Sequence, residues 1–181
     1  MPEAQWLSVD DERARYAHHD NTATNEGYVR FLGEVVDVVD GLVAPGARVL
    51  DFGSGEHQVL VRLLRERGHA GVAYDPLYGI GPEALGEQYD VIVLCEVIEH
   101  LRALRGELAK LAQSLCSGGR IVVRTRCYPS LAEIPEWWYT RDPTHINFFA
   151  QGTLDVAARL CGLACGQAPG TADIFVWTTQ P

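Results

Sequence analysis

Residues 48–57 read Arg-Val-Leu-Asp-Phe-Gly-Ser-Gly-Glu-His, an apolar run that ends in two glycines one residue apart. The run at 49–52 predicts a strand, and the apolar spacing at 59–64 predicts a helix directly after the turn. Gly53 and Gly55 allow a sharp turn and a close approach of the backbone to a ligand. The free N–H groups at the start of the helix suit the same ligand. This segment alone leaves a structural turn and a ligand-binding loop equally open.

Strand and helix patterns continue to alternate after this segment. Further apolar runs predict strands at residues 71–75, 89–95 and, after a glycine turn, 117–124. Such alternation predicts an α/β fold with a doubly wound, mostly parallel sheet, which binds ligands at the carboxyl ends of its strands. Asp51, Asp75 and Glu96 stand at those ends, so we expect them to converge on one rim. Asp75 follows the loop at close to the ~20-residue spacing at which an acid meets ribose hydroxyls.

The segments on either side of this core also carry readable patterns. Residues 1–44 predict a helical cap, with a first helix opened by Ser8 and a second over residues 26–42. Leucines at regular spacing predict one continuous helix over residues 97–115. The later elements are a proline-rich loop at 127–149, a helix at 151–161, and an antiparallel hairpin of strands at 163–167 and 173–179.

Length and composition limit the possible functions. The 181 residues predict one domain, and the 47% hydrophobic and 22% charged content is ordinary for a globular protein. A net charge of −9 argues against non-specific nucleic-acid binding, which needs a basic surface. No apolar run approaches the ~20 residues of a membrane span. The five cysteines form no CxxC pair, which indicates reduced thiols and a cytoplasmic location.

The ordered set of motifs resembles the class I S-adenosylmethionine (SAM)-dependent methyltransferases. Four pieces carry the resemblance: VLDFGSG at 49–55, the acid Asp75, YDVIVLCEVIEHL at 89–101 and SGGRIVV at 117–123. The resemblance implies a Rossmann-like fold and one methyltransferase domain over residues 1–181. Residues 1–44 would form its cap and residues 45–181 its SAM-binding core. It further implies a cofactor site lined by Asp51, Gly53, Ser54, Gly55, Asp75, Pro76, Cys95 and Glu96.

Two departures from the family pattern stand out. His57 occupies the third glycine position of the usual D-x-G-x-G-x-G motif, so we expect a narrower loop and a shifted cofactor tail. Only thirteen residues, 76–88, separate Asp75 from the next strand, and a crossover needs at least ~10–12 residues before its strand is counted. The sheet is therefore expected to be shortened after its second strand, without the usual adenine contacts from that region.

Glu96, Glu99 and His100 are the candidates for the chemical step. On the expected helix they would share one face, where two carboxylates and an imidazole suit a divalent ion such as Mg, Mn, Fe or Zn. His145, in the later loop, is a fourth candidate ligand. The E-x-x-E-H pattern with a later His resembles the ubiquinone-type O-methyltransferases and the small-RNA terminal 2′-O-methyltransferases. The competing interpretation makes His100 a general base without metal, with Glu96 or Glu99 orienting its ring.

The sequence therefore favours a SAM-dependent methyltransferase of small molecules that acts at oxygen. The run from Trp137 to Phe149 also resembles a group of small, uncharacterised bacterial methyltransferases with a D-P-T-H pattern, and Trp137, Trp138 and Tyr139 are expected to line the substrate pocket or to pack the loop. The alternatives are an RNA terminal 2′-O-methyltransferase and a non-catalytic SAM-binding module. A nicotinamide-dependent oxidoreductase is disfavoured, because Gln58 breaks the G-x-G-x-x-G fingerprint.

Overall fold

Two helices precede the first strand in the computed structural model, which describes residues 3–179. They are α1 (Val9–Tyr16) and α2 (Glu26–Leu42). Ser8 caps α1 by accepting the Asp11 N–H, as expected, and Asn25 caps α2 by accepting the Tyr28 N–H. The predicted cap and core ranges include residues 1, 2, 180 and 181, which lie outside the described residues.

Six strands form one sheet in the order β2-β1-β3-β4-β6-β5. The strands are β1 (Arg48–Phe52), β2 (Ala70–Tyr74), β3 (Tyr89–Cys95), β4 (Leu115–Arg124), β5 (Leu163–Gln167) and β6 (Ile174–Thr179). The first four strands are parallel to one another, and β6 runs antiparallel to both β4 and β5. The expected α/β fold, a doubly wound and mostly parallel sheet with a C-terminal antiparallel hairpin, is confirmed.

Helices cover both faces of the sheet, because alternate strand residues point to opposite sides. The remaining helices are α3 (Val59–Glu66), α4 (Leu104–Gln113) and α5 (Gln151–Leu160). Leu50 and Ile92 join one buried cluster with α4 and α5, whereas Val49 and Val91 join a second cluster with α2 and α3. Among residues 3–179, no helix is both long and apolar enough to cross a membrane.

The expected continuous helix over residues 97–115 is wrong. The structure has a short 3-10 turn at Ile98–His100, a break, and then α4, while Leu115 already belongs to β4. The reason is tertiary: the Glu99 carbonyl, which a helix would bond to a later N–H group, accepts the N–H groups of Ile146 and Asn147 at 3.0 Å each. The candidate site residues therefore lie on a turn and do not share a helical face.

The sheet ends at β2, as the short link after Asp75 predicts. The link contains only a 3-10 turn at Pro82–Gly86. The exposed edge of β2 is partly covered by the chain itself, because Arg65 donates two hydrogen bonds to the Gly71 carbonyl, at 3.0 and 2.8 Å. Gly81, with φ +58°, lies against the Ala73 carbonyl so closely that a Cβ would approach it to 2.1 Å. The missing strand is thus replaced by a guanidinium and a tight backbone contact.

Candidate active site

The loop between β1 and α3 that contains Gly53 and Gly55, called the glycine loop below, lies across the carboxyl ends of β1 and β2. The N–H groups of Gly53 and Ser54 both donate to the Tyr74 carbonyl, at 2.8 and 3.1 Å. Gly53 has φ +83°, and a Cβ there would lie 2.6 Å from a methyl group of Val97. Gly55 has φ +65°. Both glycines are therefore required by backbone conformation, and the first also by its contact with the chain after β3.

Asp75 organises this end of the sheet from inside. One of its carboxylate oxygens accepts the Gly55 N–H at 2.9 Å, and the other accepts the N–H groups of Leu77 and Tyr78 at 2.9 and 3.3 Å. The carboxylate is buried and so links the glycine loop to the turn that follows β2. Sequence reasoning placed Asp75 at this rim but did not foresee its role in holding the loop. Arg13 of α1 donates to the Leu77 carbonyl and ties the N-terminal segment to the same turn.

His57, at the third glycine position, is exposed and lines the edge of the cavity described next. Besides Gly53 and Gly55, Gln58 at the start of α3 has a left-handed conformation, with φ +48°. His57 itself does not have a positive φ, so the loop accommodates a side chain at this position.

One cavity of about 980 Å³ opens above the loop. Its walls come from α1, α2, the glycine loop, the turn after Asp75, the end of β3 and the loop before α5. The predicted site residues that line it are Gly53, Ser54, Gly55, Asp75, Pro76, Cys95, Glu96, His100 and His145. Asp51 and Glu99 are buried at 3% and 0% exposure and are not part of its lining.

Glu96 lines the cavity in a strained conformation. Its φ of +53° is in the left-handed region that non-glycine residues rarely adopt. Its Oε2 accepts from the Tyr139 hydroxyl at 3.0 Å, while its Oε1 is buried and has no hydrogen-bond partner among the residues the structure describes. Burial and the neighbouring Glu99 raise the pKa of Glu96 to about 7.

Glu99 lies directly behind Glu96. Its Oε1 accepts from the Tyr139 hydroxyl, and its Oε2 accepts from Thr125 at 3.1 Å. Burial raises the pKa of Glu99 to about 7, although the hydrogen bonds from Tyr139 and Thr125 oppose that effect. The Tyr139 hydroxyl carries a single proton between two carboxylates, so the pair favours a state with one carboxyl protonated.

Two histidines face this pair with matching tautomers. The Nδ1 of His100 lies 3.0 Å from the Thr144 carbonyl, and the Nδ1 of His145 lies 2.7 Å from the Tyr139 carbonyl. A carbonyl only accepts, so this network assigns the proton to Nδ1 and leaves each Nε2 with a free lone pair. Burial lowers the pKa of His100, and burial together with His100 lowers that of His145 to about 4. Both rings are therefore neutral near pH 7.

Three of the four predicted metal ligands come together. Each of Glu99, His100 and His145 offers one ligand atom, and these three atoms lie within 4.8 Å of one another. The His100 Nε2 is 4.0 Å from a Glu99 oxygen. Two neutral imidazoles and a carboxylate suit a divalent ion, and the carbonyls on Nδ1 are the partners that orient such ligands. Glu96 is not part of this group. The donor chemistry therefore fits a metal with three of the four predicted residues.

Several contributors were not foreseen from the sequence. The Tyr16 hydroxyl of α1 lies 3.1 Å from the His100 Nδ1, and Arg15 forms an ion pair with Asp142 at 2.8 Å. Among the predicted aromatic residues, Trp138 is 59% exposed at the cavity, and Trp137 packs against Tyr139 and other rings of the loop. No spacing rule links these residues to the site, because each is brought in by tertiary folding alone.

A family model described as a methyltransferase domain matches residues 16–168. The chain belongs to this family. The expectation of a SAM-dependent methyltransferase is thereby confirmed at the level of the family. No curated protein matches this methyltransferase domain in sequence.

Solved structures share the fold of the methyltransferase domain at low identity. An O-methyltransferase family protein from Burkholderia thailandensis has 20% identity and a TM-score of 0.65, over 93% of this chain and 62% of that one. The 1,6-didemethyltoxoflavin-N1-methyltransferase of the same organism, with substrate and S-adenosylhomocysteine (SAH) bound, has 16% identity and a TM-score of 0.64, over 96% and 87%. The magnesium protoporphyrin IX methyltransferase of Synechocystis PCC 6803, with SAH bound, has 17% identity and a TM-score of 0.63, over 96% of this chain and 95% of that one.

Some of these proteins are longer than the methyltransferase domain described here. The chain spans 62% of the O-methyltransferase family protein, 56% of the pyocyanin biosynthetic protein PhzM and 61% of CalO1 from calicheamicin biosynthesis. At identities of 20% or less these likenesses establish the fold.

Proposed function

We propose that this chain transfers a methyl group from SAM to an oxygen atom of a small molecule. The observation that carries the proposal is one cavity lined by both the glycine loop and Glu96, whose Oε1 is buried without a hydrogen-bond partner among the described residues. Its volume, about 980 Å³, is at the upper end of the ~300–1,000 Å³ typical of small-molecule sites. The similar structures named above include both an O-methyltransferase and an N-methyltransferase, so the acceptor atom is inferred from the site itself.

The cofactor half of the cavity would bind SAM through backbone and carboxylate groups. SAM supplies an electrophilic methyl group on a sulfonium cation. The N–H groups at the start of α3 suit its carboxylate tail. Asp51 is buried and does not line the cavity, so it would act on the positive end of the tail through charge attraction at a distance. Asp75 keeps lone pairs for the ribose hydroxyls beyond those that hold the loop. Ser54, Pro76 and Cys95 would complete the wall.

The acceptor half would hold and deprotonate a hydroxyl group. Glu96 Oε1 lacks a partner and is the acceptor we assign to the substrate proton. Aromatic side chains of Tyr16, Tyr28 and Trp138 line the surrounding wall and exclude water from the acceptor. Positioning of the acceptor in line with the methyl group would supply much of the rate.

A divalent ion at Glu99, His100 and His145 is the second part of the proposal. Bound there, an ion would lower the pKa of a hydroxyl and orient it. The two neutral imidazoles, held by the Thr144 and Tyr139 carbonyls, are the observation that favours this account. In the competing account His100 is the general base through its free Nε2.

The wider assignment follows the same reasoning. We propose that the chain works as one methyltransferase domain, in which residues 1–44 cap the core formed by residues 45–181. The five free cysteines fit the reducing cytoplasm, which we propose as its location.

Calorimetry with SAH and with NADH tests the cofactor assignment. SAH should bind and NADH should not. Asp75→Asn should weaken SAH binding by about 1.5–3 kcal/mol, the scale of a hydrogen bond to a charged group. Asp90→Asn is the matched control, because Asp90 also accepts a backbone N–H, from Arg48 at 2.8 Å, but at the opposite end of the sheet. Equal SAH affinity in the Asp75 variant and wild type would remove Asp75 from the site.

Metal content and Mn²⁺ titration separate the two accounts of the acceptor site. Wild-type protein, stripped with EDTA and then titrated, should bind one Mn²⁺ ion, and His145→Ala should lose that binding. His19→Ala is the control, because His19 lines the cavity outside the ligand group. A wild-type protein that binds no Mn²⁺, Fe²⁺ or Zn²⁺ would exclude the metal and leave proton removal to a general base, either Glu96 or, in the competing account, His100.

A further inference from the structure

Tyr139 contacts three of the four residues that carry the proposed chemistry, through three different groups. Its hydroxyl reaches Glu96 at 3.0 Å and also Glu99. Its backbone carbonyl accepts from the His145 Nδ1 at 2.7 Å, and its ring packs on the His145 ring with 4.0 Å between centroids. The side chain is 2% exposed.

We propose that Tyr139 is the positioning residue that assembles this site and makes its two glutamates different from each other. The inference rests on the proposed function, because it assigns roles within the same acceptor site. It concerns geometry alone: which oxygen of each glutamate is occupied and which is left for a ligand.

The two carboxylates share the Tyr139 hydroxyl but differ in how many of their oxygens have a hydrogen-bond partner. Glu99 has both oxygens engaged, one by Tyr139 and one by Thr125, so it is held rigidly with its remaining lone pairs towards His100. Glu96 has only one oxygen engaged, by Tyr139, and the other stays unpartnered. Glu99 thus becomes a fixed ligand and Glu96 the group that works on the substrate. Without the hydroxyl, the two buried carboxyls would lose the partner that they share, and nothing would fix which oxygen of each is occupied.

The loop that carries Tyr139 holds Glu99 at both ends. Tyr139 binds its side chain, while the N–H groups of Ile146 and Asn147 bind its backbone carbonyl at 3.0 Å each. The rings of Trp137 and Trp138 pack against Tyr139, with centroids 4.9 and 5.3 Å away, and fix its ring in place. The glutamate pair is therefore assembled only when this loop is in position.

Tyr139→Phe isolates the hydroxyl, because phenylalanine keeps the ring and the backbone carbonyl. The EDTA-stripped variant should bind Mn²⁺ about 10–100-fold more weakly than wild type, the usual cost of losing an orienting partner. Its affinity for SAH should stay within about twofold, because the hydroxyl makes no contact with the glycine loop. Tyr128→Phe is the matched control in the same loop: Tyr128 packs on Trp137, and the structure shows no hydrogen bond from its hydroxyl to the residues described.

A readout without metal keeps this inference separate from the metal assignment. A hydroxyl proton shared by two buried carboxylates should give a downfield, slowly exchanging proton resonance in the metal-free protein. That resonance should vanish in Tyr139→Phe, shift in Glu96→Gln, and persist in Tyr128→Phe. If it behaves so but wild type binds no ion, the positioning role stands and the metal proposal fails. Absence of the resonance would overturn the inference, and so would a wild type that binds Mn²⁺ with the same affinity as Tyr139→Phe.

Discussion

Glu96 shows how far single residues can be read from the sequence. Its place at the end of a strand, on the same rim as Asp51 and Asp75, follows from the alternation of strands and helices, and the structure brings Asp75 and Glu96 into one cavity. Its partner Tyr139 could not be predicted, because Tyr139 lies on a loop that is distant in the chain, and no sequence pattern indicates its φ of +53°. Strain of this kind at a cavity wall is typical of functional sites.

Asp51 is expected to cost stability in return for cofactor binding. Burial, together with the charge of Asp75, raises its pKa from 3.8 to about 7. Because the folded pKa lies above the unfolded one, the native state binds the proton more tightly, and stability is lost as the pH rises from about 4 towards 7. Asp51→Asn removes the charge, so its free energy of unfolding should exceed that of wild type by about 1–4 kcal/mol at pH 8.

Urea denaturation at pH 4, 6 and 8 checks this sign. The difference between Asp51→Asn and wild type should shrink towards pH 4, where the wild-type carboxyl is protonated in the folded state. The same variant should bind SAH more weakly, because an amide does not attract the positive end of the cofactor tail as a carboxylate does. Parallel pH profiles for the two proteins would contradict the raised pKa.

At the scale of elements, local patterns succeeded where the helix packs along its whole length. Helix α2 has the bounds that its apolar spacing predicts, and α5 ends one residue early, at Leu160. The failure is the segment after β3, where regular leucines suggested one helix. Leu108 and Leu111 do lie on α4 and are buried, but the carbonyl of Glu99 bonds to the loop before α5. Apolar periodicity predicts which side chains are buried, but it does not predict which N–H group a backbone carbonyl will bond to.

Helix α1 should behave as the least stable element beside the cavity. None of its residues is buried, and polar contacts hold it to the rest: Arg13 to the Leu77 carbonyl, Arg15 to Asp142 and Tyr16 to His100. We expect its amides to exchange with solvent faster than those of α2 in the free protein. SAH should slow exchange in α1, since α1 forms part of the cavity wall.

Hydrogen exchange measured with and without SAH tests this expectation, and α2, which buries four residues, is the internal control. Equal protection of α1 in the free and bound protein would show that it is a fixed wall.

For the whole molecule, topology was the most predictable property. Strands that alternate with helices allow few sheet orders, and the final hairpin and the shortened link after Asp75 were both visible in the sequence. The assembled cavity was only partly predictable. Nine of the eleven predicted site residues line it, whereas Asp51 and Glu99 do not. Glu96 stands apart from the group formed by Glu99, His100 and His145. The strand ends predict which residues lie near the cavity. Which of them come together depends on how the loop before α5, residues 127–149, folds back over the sheet.

The covered edge of β2 bears on how copies of this chain behave towards one another. An edge strand with free carbonyls can recruit a strand from another molecule and begin aggregation. Here the outward carbonyl of Gly71 is taken by Arg65 and that of Ala73 is shielded by Gly81. A sheet that ends at β2 exposes an edge where self-association could begin, and the contacts of Arg65 and Gly81 cover part of that edge. Arg65 and Gly81 are therefore expected to limit strand pairing between copies of this chain, although neither lines the cavity beside the glycine loop.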